Sequence, residues 1–131
     1  MLKKVKKIPL KVIRNKSGDI IKYIDKKSLF FKKFGEVYFS KIKKNYVKGW
    51  NLHKKTTCMI TVPFGSVNFV LKDFKMSKSK RINLNDNYPS LLIIPPNIWF
   101  KFSTKNNYSL LVNLIDKIHD IGETRKRPIN E

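Results

Sequence analysis

Residues 48–71 read KGWNLHKKTTCMITVPFGSVNFVL, and this stretch decides the fold class. Its first half is basic and contains one of the two histidines of the chain. Its second half alternates apolar and polar side chains on both sides of a Pro63-Phe64-Gly65 break, which is the pattern of two short strands joined by a tight turn. The alternation also predicts that the strand after Gly65 is covered on both faces. The stretch therefore predicts antiparallel β-structure.

Short apolar runs continue on both sides of this stretch, with turn-forming Asn, Pro and Gly between them. The runs are VYFSKI (37–42), CMITV (58–62), SVNFVLKDF (66–74), SLLIIP (90–95), IWFKFS (98–103) and SLLVNLI (109–115). Regular short strands of this kind predict an all-β sandwich or barrel. The single helical expectation is a short helix over 26–33. A hairpin turn is expected at 15–19, and the polar tail after Asp120 is expected on the surface.

The charge of the chain has two interpretations. The 131 residues predict one domain over 1–131, and 29 Lys and Arg stand against 9 Asp and Glu, for a net charge of +20. Such a balance attracts nucleic acid, anionic membranes and phosphorylated ligands. Alternatively, Lys, Asn and Ile enriched together indicate an AT-rich genome. Almost all the basic residues are lysines, which favours the compositional interpretation.

The sequence predicts a cytoplasmic protein without a membrane span. No apolar run reaches the roughly 18 residues that a spanning helix needs. The basic N-terminus is interrupted at Pro9 and is a poor signal peptide. Cys58 is the one cysteine, which excludes an intrachain disulfide and fits a reducing compartment.

His53 is the first candidate for chemistry. Strand alternation predicts that Asn51 and His53 share one face and that Trp50 faces away, so Trp50 is assigned to packing. Lys54 and Lys55 beside His53 would lower its pKa and keep the imidazole neutral, able to accept a proton. The ordinary alternative is a histidine of the surface or core without a chemical role.

Two other residues have both a chemical and an ordinary interpretation. Cys58 begins an apolar strand, where a buried inert thiol is usual, although nearby positive charge would activate it. His119 lies near Asp116 and Asp120 as a possible metal fragment. No third or fourth ligand follows, so no metal is expected and His119 is assigned to a surface turn.

Known phosphate-binding loops are absent, so any phosphate ligand must be held by lysines on strands. Aromatic side chains could stack a nucleic-acid base or could belong to the core. These are Tyr38, Tyr46, Trp50, Trp99 and Phe100.

Four segments in order resemble a known family. They are FGEVYFSKIKKNYVKGWNLHKK (34–55), PFGSVNFVLKD (63–73), LLIIPPNIWFKF (91–102) and LLVNLIDKIHD (110–120). Together they resemble the small cupins that act as dTDP-4-dehydrorhamnose 3,5-epimerases and the related nucleotide-sugar 3,4-ketoisomerases. The resemblance implies a jelly-roll barrel (a double-stranded β-helix), a nucleotide-sugar ligand, and a homodimer built through N-terminal strands. It implies no metal or other cofactor.

The best motif of the family is altered in this chain. The epimerase sequence Arg-Gly-Leu-His is matched by Lys48, Gly49, Trp50 and Asn51. The family arginine holds the diphosphate, and Lys48 can do so as a point charge. Asn51 stands where the family has its catalytic histidine, and it cannot take a proton. His53 matches the second histidine of the His-x-His-Lys pattern of the ketoisomerases.

Other positions of the family also differ. Its Pro-Pro-Gly-x-x-His-Gly-Phe motif is matched by residues 95–102, where Phe100 replaces the histidine. The catalytic tyrosine aligns with Val112, and a barrel-lining lysine aligns with Cys58. The carboxylate that supports the histidine belongs to a C-terminal extension and is expected to be missing here.

The predicted function is epimerisation or keto-isomerisation of a nucleotide sugar, such as a dTDP-4-keto-6-deoxyhexose, in surface-glycan biosynthesis. His53 is the expected base. The expected substrate-binding residues are Lys48, Asn51, Lys54, Tyr38, Cys58 and Phe100. Two alternatives stay open: a cupin that binds a sugar or nucleotide sugar without catalysis, and a basic protein that binds nucleic acid.

Overall fold

The computed structural model describes residues 1–130, which form twelve β-strands and two one-turn 3₁₀ helices. The strands are β1 (Lys6–Pro9), β2 (Lys11–Ile13), β3 (Ile20–Lys22), β4 (Glu36–Lys43), β5 (Val47–His53), β6 (Cys58–Phe64), β7 (Ser66–Lys72), β8 (Ser79–Asn85), β9 (Ser90–Ile94), β10 (Trp99–Ser103), β11 (Tyr108–Ile115) and β12 (Thr124–Lys126). The 3₁₀ helices are Leu2–Lys4 and Ile121–Glu123. Within this part of the chain, no helix is long and apolar enough to cross a membrane.

Ten of the strands form two five-stranded antiparallel sheets. The first sheet has the order β1-β9-β6-β11-β4, and the second has the order β12-β5-β10-β7-β8. Strands β2 and β3 form a separate hairpin. Successive strands pass repeatedly from one sheet to the other, as in a jelly roll. The predicted all-β jelly-roll fold is confirmed.

The core lies between the two sheets and follows the period-2 pattern of the sequence. In β7, Val67, Phe69 and Leu71 are fully buried, and the residues between them are half-buried. From the first sheet, Ile60 and Leu92 belong to the same cluster. A strand with one face in the core must keep its register, since a slip of one residue would expose that whole face.

The outer face of the first sheet is covered by the N-terminal segment. Met59 and Ile93 pack there against Tyr23, Phe30 and Phe31. The Tyr23 hydroxyl also donates to the Met59 carbonyl oxygen and accepts a hydrogen bond from the Leu114 amide at 3.2 Å. The segment therefore closes the outside of this sheet.

The predicted helix over 26–33 is wrong. The chain forms separate turns at 26–27 and 29–30. Asp25 accepts a hydrogen bond from the Lys27 amide at 2.7 Å, and the Ser28 hydroxyl accepts one from the Asp25 amide at 2.9 Å. Such local bonds compete with the helical pattern. The irregular backbone also lets the adjacent Phe30 and Phe31 pack against one patch.

Two further elements complete the comparison with the sequence. The hairpin turn is confirmed, because the Gly18 amide donates to the Asn15 carbonyl oxygen between β2 and β3. Strand β8 was not predicted. Its sequence, SKRINLN, buries Ile82 and Leu84 in the core, and its other residues are polar. Two apolar positions are too few to identify a strand by alternation.

Candidate active site

A cavity of about 590 Å³ opens between the two sheets. Strands β4 and β11 of the first sheet and β5, β10 and β12 of the second contribute to its wall. The lining residues are Glu36, Tyr38, Ser40, Lys48, Gly49, Asn51, His53, Ile60, Phe100, Phe102, Leu111, Asn113, His119, Thr124 and Lys126. The volume and the mixture of apolar floor and polar wall suit a small organic ligand.

Strand β5 carries the centre of this wall. Asn51 and His53 line the cavity, whereas Trp50 and Leu52 are buried on the opposite side of the sheet with Trp99. Gly49 has a φ of +118°, and a Cβ atom there would lie 2.7 Å from the Phe100 carbonyl oxygen. Only glycine therefore allows this close approach of β5 to β10.

His53 is held from one side by the C-terminal strand. Its Nδ1 lies 3.0 Å from the Thr124 hydroxyl and 3.3 Å from Oε2 of Glu123. The Thr124 hydroxyl in turn lies 3.5 Å from the same carboxylate oxygen. With an ionised carboxylate at the end of this chain, Nδ1 carries the proton and donates it. The other nitrogen, Nε2, is then unprotonated, as a general base requires.

The protonation of this pair follows from its surroundings. Burial lowers the pKa of His53, and the nearby His119 and Lys126 lower it further, whereas Glu123 opposes the change. Burial acts to raise the pKa of Glu123, but hydrogen bonds from the Lys55 and Thr56 amides outweigh it and the net shift is downward. Those amides lie 2.6 and 2.8 Å from Oε1. At neutral pH the pair is an uncharged imidazole beside a carboxylate.

The carboxylate beside His53 comes from the tail, which the sequence predicts on the surface. Asp120 accepts a hydrogen bond from the Gly122 amide at 3.0 Å and begins the 3₁₀ helix Ile121–Glu123. Strand β12 then pairs with β5, with Thr124 opposite His53. Glu123 and Thr124 are thus half-buried beside β5, and Glu123 supplies a carboxylate to His53 from within the tail. An acidic residue in a basic tail was the one signal for it.

The first sheet supplies the facing wall. The Tyr38 hydroxyl accepts a hydrogen bond from Nδ2 of Asn113 at 2.9 Å, and burial raises the pKa of Tyr38. Lys48 reaches across from β5, and its Nζ donates to the Ser40 hydroxyl at 2.8 Å. A neutral phenol and an ammonium group therefore share the cavity with His53.

The structure brings most of the predicted site residues together, and two lie elsewhere. Phe100 lines the cavity with its ring centroid 6.0 Å from that of His53. Lys54 is not in the wall, and its Nζ lies on the other side, 3.4 Å from the Gly122 carbonyl oxygen. Cys58 is buried in the core, and burial raises the pKa of its thiol to about 12. A thiol in that environment is inert.

The tyrosine position of the resemblance also falls outside the cavity. Val112 and Leu114 occupy one face of β11, and Leu114 packs against the outer cluster. Asn113 occupies the inward face. Tyr38, on the neighbouring strand β4, is thus the tyrosine of the cavity wall.

Sequence reasoning missed several lining residues. Lys126 lies beside Asn51 across the β12–β5 ladder. His119, assigned to a surface turn, reaches the cavity lining because its amide donates to Oε1 of Glu36 at 3.0 Å. Among residues 1–130, no group of three His, Cys, Asp or Glu side chains could hold a metal ion.

The chain and its fold have counterparts among known proteins. The profile of the family described as "FdtA: WxcM-like, C-terminal" matches residues 3–126. A dTDP sugar isomerase from Desulfovibrio desulfuricans G20 is 30% identical, with a TM-score of 0.87 over 95% of this chain and 83% of that chain. A variant of the 3,4-ketoisomerase QdtA from Thermoanaerobacterium thermosaccharolyticum, in complex with TDP-4-keto-6-deoxyglucose, is 27% identical. Its TM-score is 0.84, over 97% of this chain and 90% of that chain.

A dTDP-4-dehydrorhamnose 3,5-epimerase from Sulfolobus tokodaii shares the fold at 20% identity, with a TM-score of 0.86 over 96% of this chain and 78% of that chain. No curated protein matches the sequence. The matched profile spans nearly the whole chain, and the match to the dTDP sugar isomerase covers 83% of that protein. The chain therefore belongs to the FdtA family, described as WxcM-like, C-terminal.

Proposed function

We propose that this protein is a nucleotide-sugar isomerase whose substrate is a dTDP-linked 4-keto-6-deoxyhexose. One observation carries the proposal: Nδ1 of His53 is held by Thr124 and Glu123, which leaves Nε2 as a base in the cavity wall. The two most similar structures reported above are a dTDP sugar isomerase and a ketoisomerase bound to TDP-4-keto-6-deoxyglucose. Both are consistent with this chemistry.

The residues support a proton transfer through an enediolate. Nε2 of His53 removes the proton from the carbon beside the ketone. The electron pair of that C–H bond forms a C=C bond, and the π electron pair of the ketone moves to its oxygen. The Tyr38 hydroxyl accepts from Asn113, so its own proton is available to that oxygen. Return of the proton to the former ketone carbon gives a ketoisomer when the hydroxyl group on the first carbon gives up its proton and becomes the new ketone. Return of the proton to the opposite face of the first carbon gives an epimer.

Cations in the wall suit the diphosphate. Lys48 and Lys126 both line the cavity on the second sheet. A lysine ammonium binds phosphate as a point charge. Among the other predicted binding residues, Asn51 is assigned to the sugar and Phe100 to packing against it, next to His53.

The finer expectations of assembly and location belong to the same proposal. Strand β4 is an edge strand whose Val37 and Phe39 are exposed, and an unpaired edge with apolar side chains suits a second copy. A homodimer is therefore proposed. A cytoplasmic location is proposed because Cys58 is a free thiol and nucleotide sugars are intracellular metabolites.

One observation favours the alternative of binding without catalysis. Asn51 cannot transfer a proton, which leaves His53 as the one imidazole on β5. Binding of nucleic acid has weaker support. Trp50 and Trp99 are only 1% and 3% exposed, and Lys101 and Arg127 lie over their rings. Neither indole offers a free face for a base.

Hydrogen exchange in deuterated water tests the proposal. Wild-type protein with TDP-4-keto-6-deoxyglucose is expected to incorporate deuterium at the carbon beside the ketone, and His53→Ala is expected to abolish this incorporation while circular dichroism stays unchanged. Unchanged exchange in His53→Ala would remove His53 from the mechanism. Binding of the sugar nucleotide by wild-type protein without any exchange would establish the binding-only alternative.

A further inference from the structure

Two amide oxygens of the cavity wall are buried without a hydrogen-bond partner. They are Oδ1 of Asn51 and Oδ1 of Asn113, and both residues line the cavity. Asn113 is only 2% exposed. Buried carbonyl oxygens nearly always have a donor, because an unpaired one has lost its water without compensation. The two oxygens therefore indicate a ligand that brings donors.

The hydrogen bonds of Asn113 fix the direction of its amide. Its Nδ2 donates to the Tyr38 hydroxyl at 2.9 Å. The amide nitrogen is thus occupied on the side of Tyr38. The oxygen is the atom left for the cavity, and no described residue donates to it.

The two oxygens belong to opposite walls. Asn113 lies on β11 of the first sheet, between Tyr38 and Ile60 of the neighbouring strands. Asn51 lies on β5 of the second sheet, between Phe100 and Lys126. Both residues line the same cavity between the sheets. We infer that Asn51 and Asn113, the acceptor pair, each receive a hydrogen bond from a different hydroxyl group of the sugar.

The groups of the wall specify the chemistry of the sugar. Tyr38 offers one donor, the acceptor pair offers two acceptors, and His53 offers one base. Their complement is a ring with a ketone oxygen, two free hydroxyl groups and an acidic C–H bond. A 4-keto-6-deoxyhexose that retains its hydroxyl groups at carbons 2 and 3 has this set, and a 2-deoxy sugar lacks one donor. The inference rests on the proposed function for the nucleotide-sugar class.

Binding measurements test the acceptor pair without requiring turnover. Calorimetry would give the Kd of TDP, of TDP-4-keto-6-deoxyglucose and of its 2-deoxy analogue for wild type, Asn51→Leu and Asn113→Leu. The matched control is Asn68→Leu, the same change on the outer face of the second sheet, where Oδ1 of Asn68 accepts from Asn83 at 2.9 Å. Near-ultraviolet circular dichroism checks the fold of each variant.

Wild type is expected to prefer the full sugar over the 2-deoxy sugar by about a hundredfold, since a site built for a hydroxyl rejects a ligand without it. Each of the two variants is expected to lose about tenfold or more in affinity for TDP-4-keto-6-deoxyglucose and to keep its affinity for TDP. In one of them the preference over the 2-deoxy sugar should also disappear, which identifies the residue that receives the hydroxyl group at carbon 2.

Several results would overturn the inference. If both variants keep the wild-type ratio of the Kd values for TDP and TDP-sugar, the two oxygens are paired only with water. The inference also fails if the control Asn68→Leu loses as much affinity for the TDP-sugar as Asn51→Leu and Asn113→Leu do. Failure of the proposed function has a different signature, since a protein that discriminates the two sugars but exchanges no hydrogen retains the acceptor pair without catalysis.

Discussion

Glu123 and His53 are 70 residues apart in the sequence, and Oε2 of Glu123 lies 3.3 Å from Nδ1 of His53. The contact exists because β12 pairs with the edge of β5. The two oxygens of the Glu123 carboxylate have different partners. One oxygen faces the imidazole, and the other accepts hydrogen bonds from the Lys55 and Thr56 amides. The loop after β5 therefore fixes the group that orients the base.

The first prediction concerns Glu123→Gln. A glutamine amide can donate to Nδ1 and stabilise the tautomer that places the proton on Nε2, so kcat is expected to fall by about 10²–10⁴ with little change in KM. Glu123 raises the pKa of His53, so its loss should lower that pKa further. In wild type, kcat/KM is expected to fall as the pH drops through the His53 pKa, which lies below its ordinary value of 6.5, and in the variant this fall should begin at lower pH.

Steady-state kinetics from about pH 5 to 8 would measure both effects. Glu123→Asp is the comparison, because it keeps the charge and shortens the reach. A kcat of Glu123→Gln equal to that of wild type would mean that the carboxylate has no part in orienting His53.

The sequence predicted strand β5 well and the tail poorly, for one physical reason. Alternation is local, so the shared face of Asn51 and His53 can be read from the chain itself. The pairing of Thr124 with His53 depends on a contact between distant segments. Three residues of β12 carry too little pattern to identify a strand or its partner.

The orientation of β11 explains why the tyrosine position of the resemblance lies outside the cavity. The resemblance aligned the family tyrosine with Val112, whose side chain is on the outer face of β11, and the inward neighbour is Asn113. A shift of one position in a strand exchanges its faces. Asn113 could not be selected from sequence, because its importance depends on Tyr38 across the β11–β4 ladder.

The second prediction concerns Lys48, whose Nζ lies 2.8 Å from the Ser40 hydroxyl. Lys48→Met removes a cation from the cavity wall and is expected to weaken the binding of TDP about tenfold, with a smaller dependence on salt. Lys48→Arg should retain most of the affinity. Calorimetry at two salt concentrations would measure this. Lys75→Met removes the same charge in the β7–β8 loop, and an equal loss there would reduce the role of Lys48 to general attraction.

The third prediction concerns the Cys58 thiol. It is fully buried, and burial raises its pKa to about 12, so almost no thiolate exists at pH 8. A disulfide reagent such as dithiobisnitrobenzoate is therefore expected to leave the native protein unlabelled for hours and to label it at once in guanidinium chloride. Rapid labelling of the native protein, with spectroscopic signals of folding intact, would contradict the burial of this side chain.

The last prediction concerns Gly49 in the cavity wall. Gly49→Ala would place a Cβ atom 2.7 Å from the Phe100 carbonyl oxygen and 2.8 Å from the Lys101 Cα, at a φ of +118°. Both atoms belong to the backbone of β10 and cannot move aside without separating the strands, so the free energy of unfolding should fall by about 2–4 kcal/mol. Gly18→Ala is the matched control, because Gly18 has a φ of +128° and nothing within 4 Å of a Cβ atom. Gly18→Ala introduces only the conformational strain of a positive φ, without a steric clash, and should lower the free energy of unfolding by about 1 kcal/mol. Urea unfolding of both variants would measure the difference, and equal losses would mean that the approach of β5 to β10 adds nothing to the requirement for glycine.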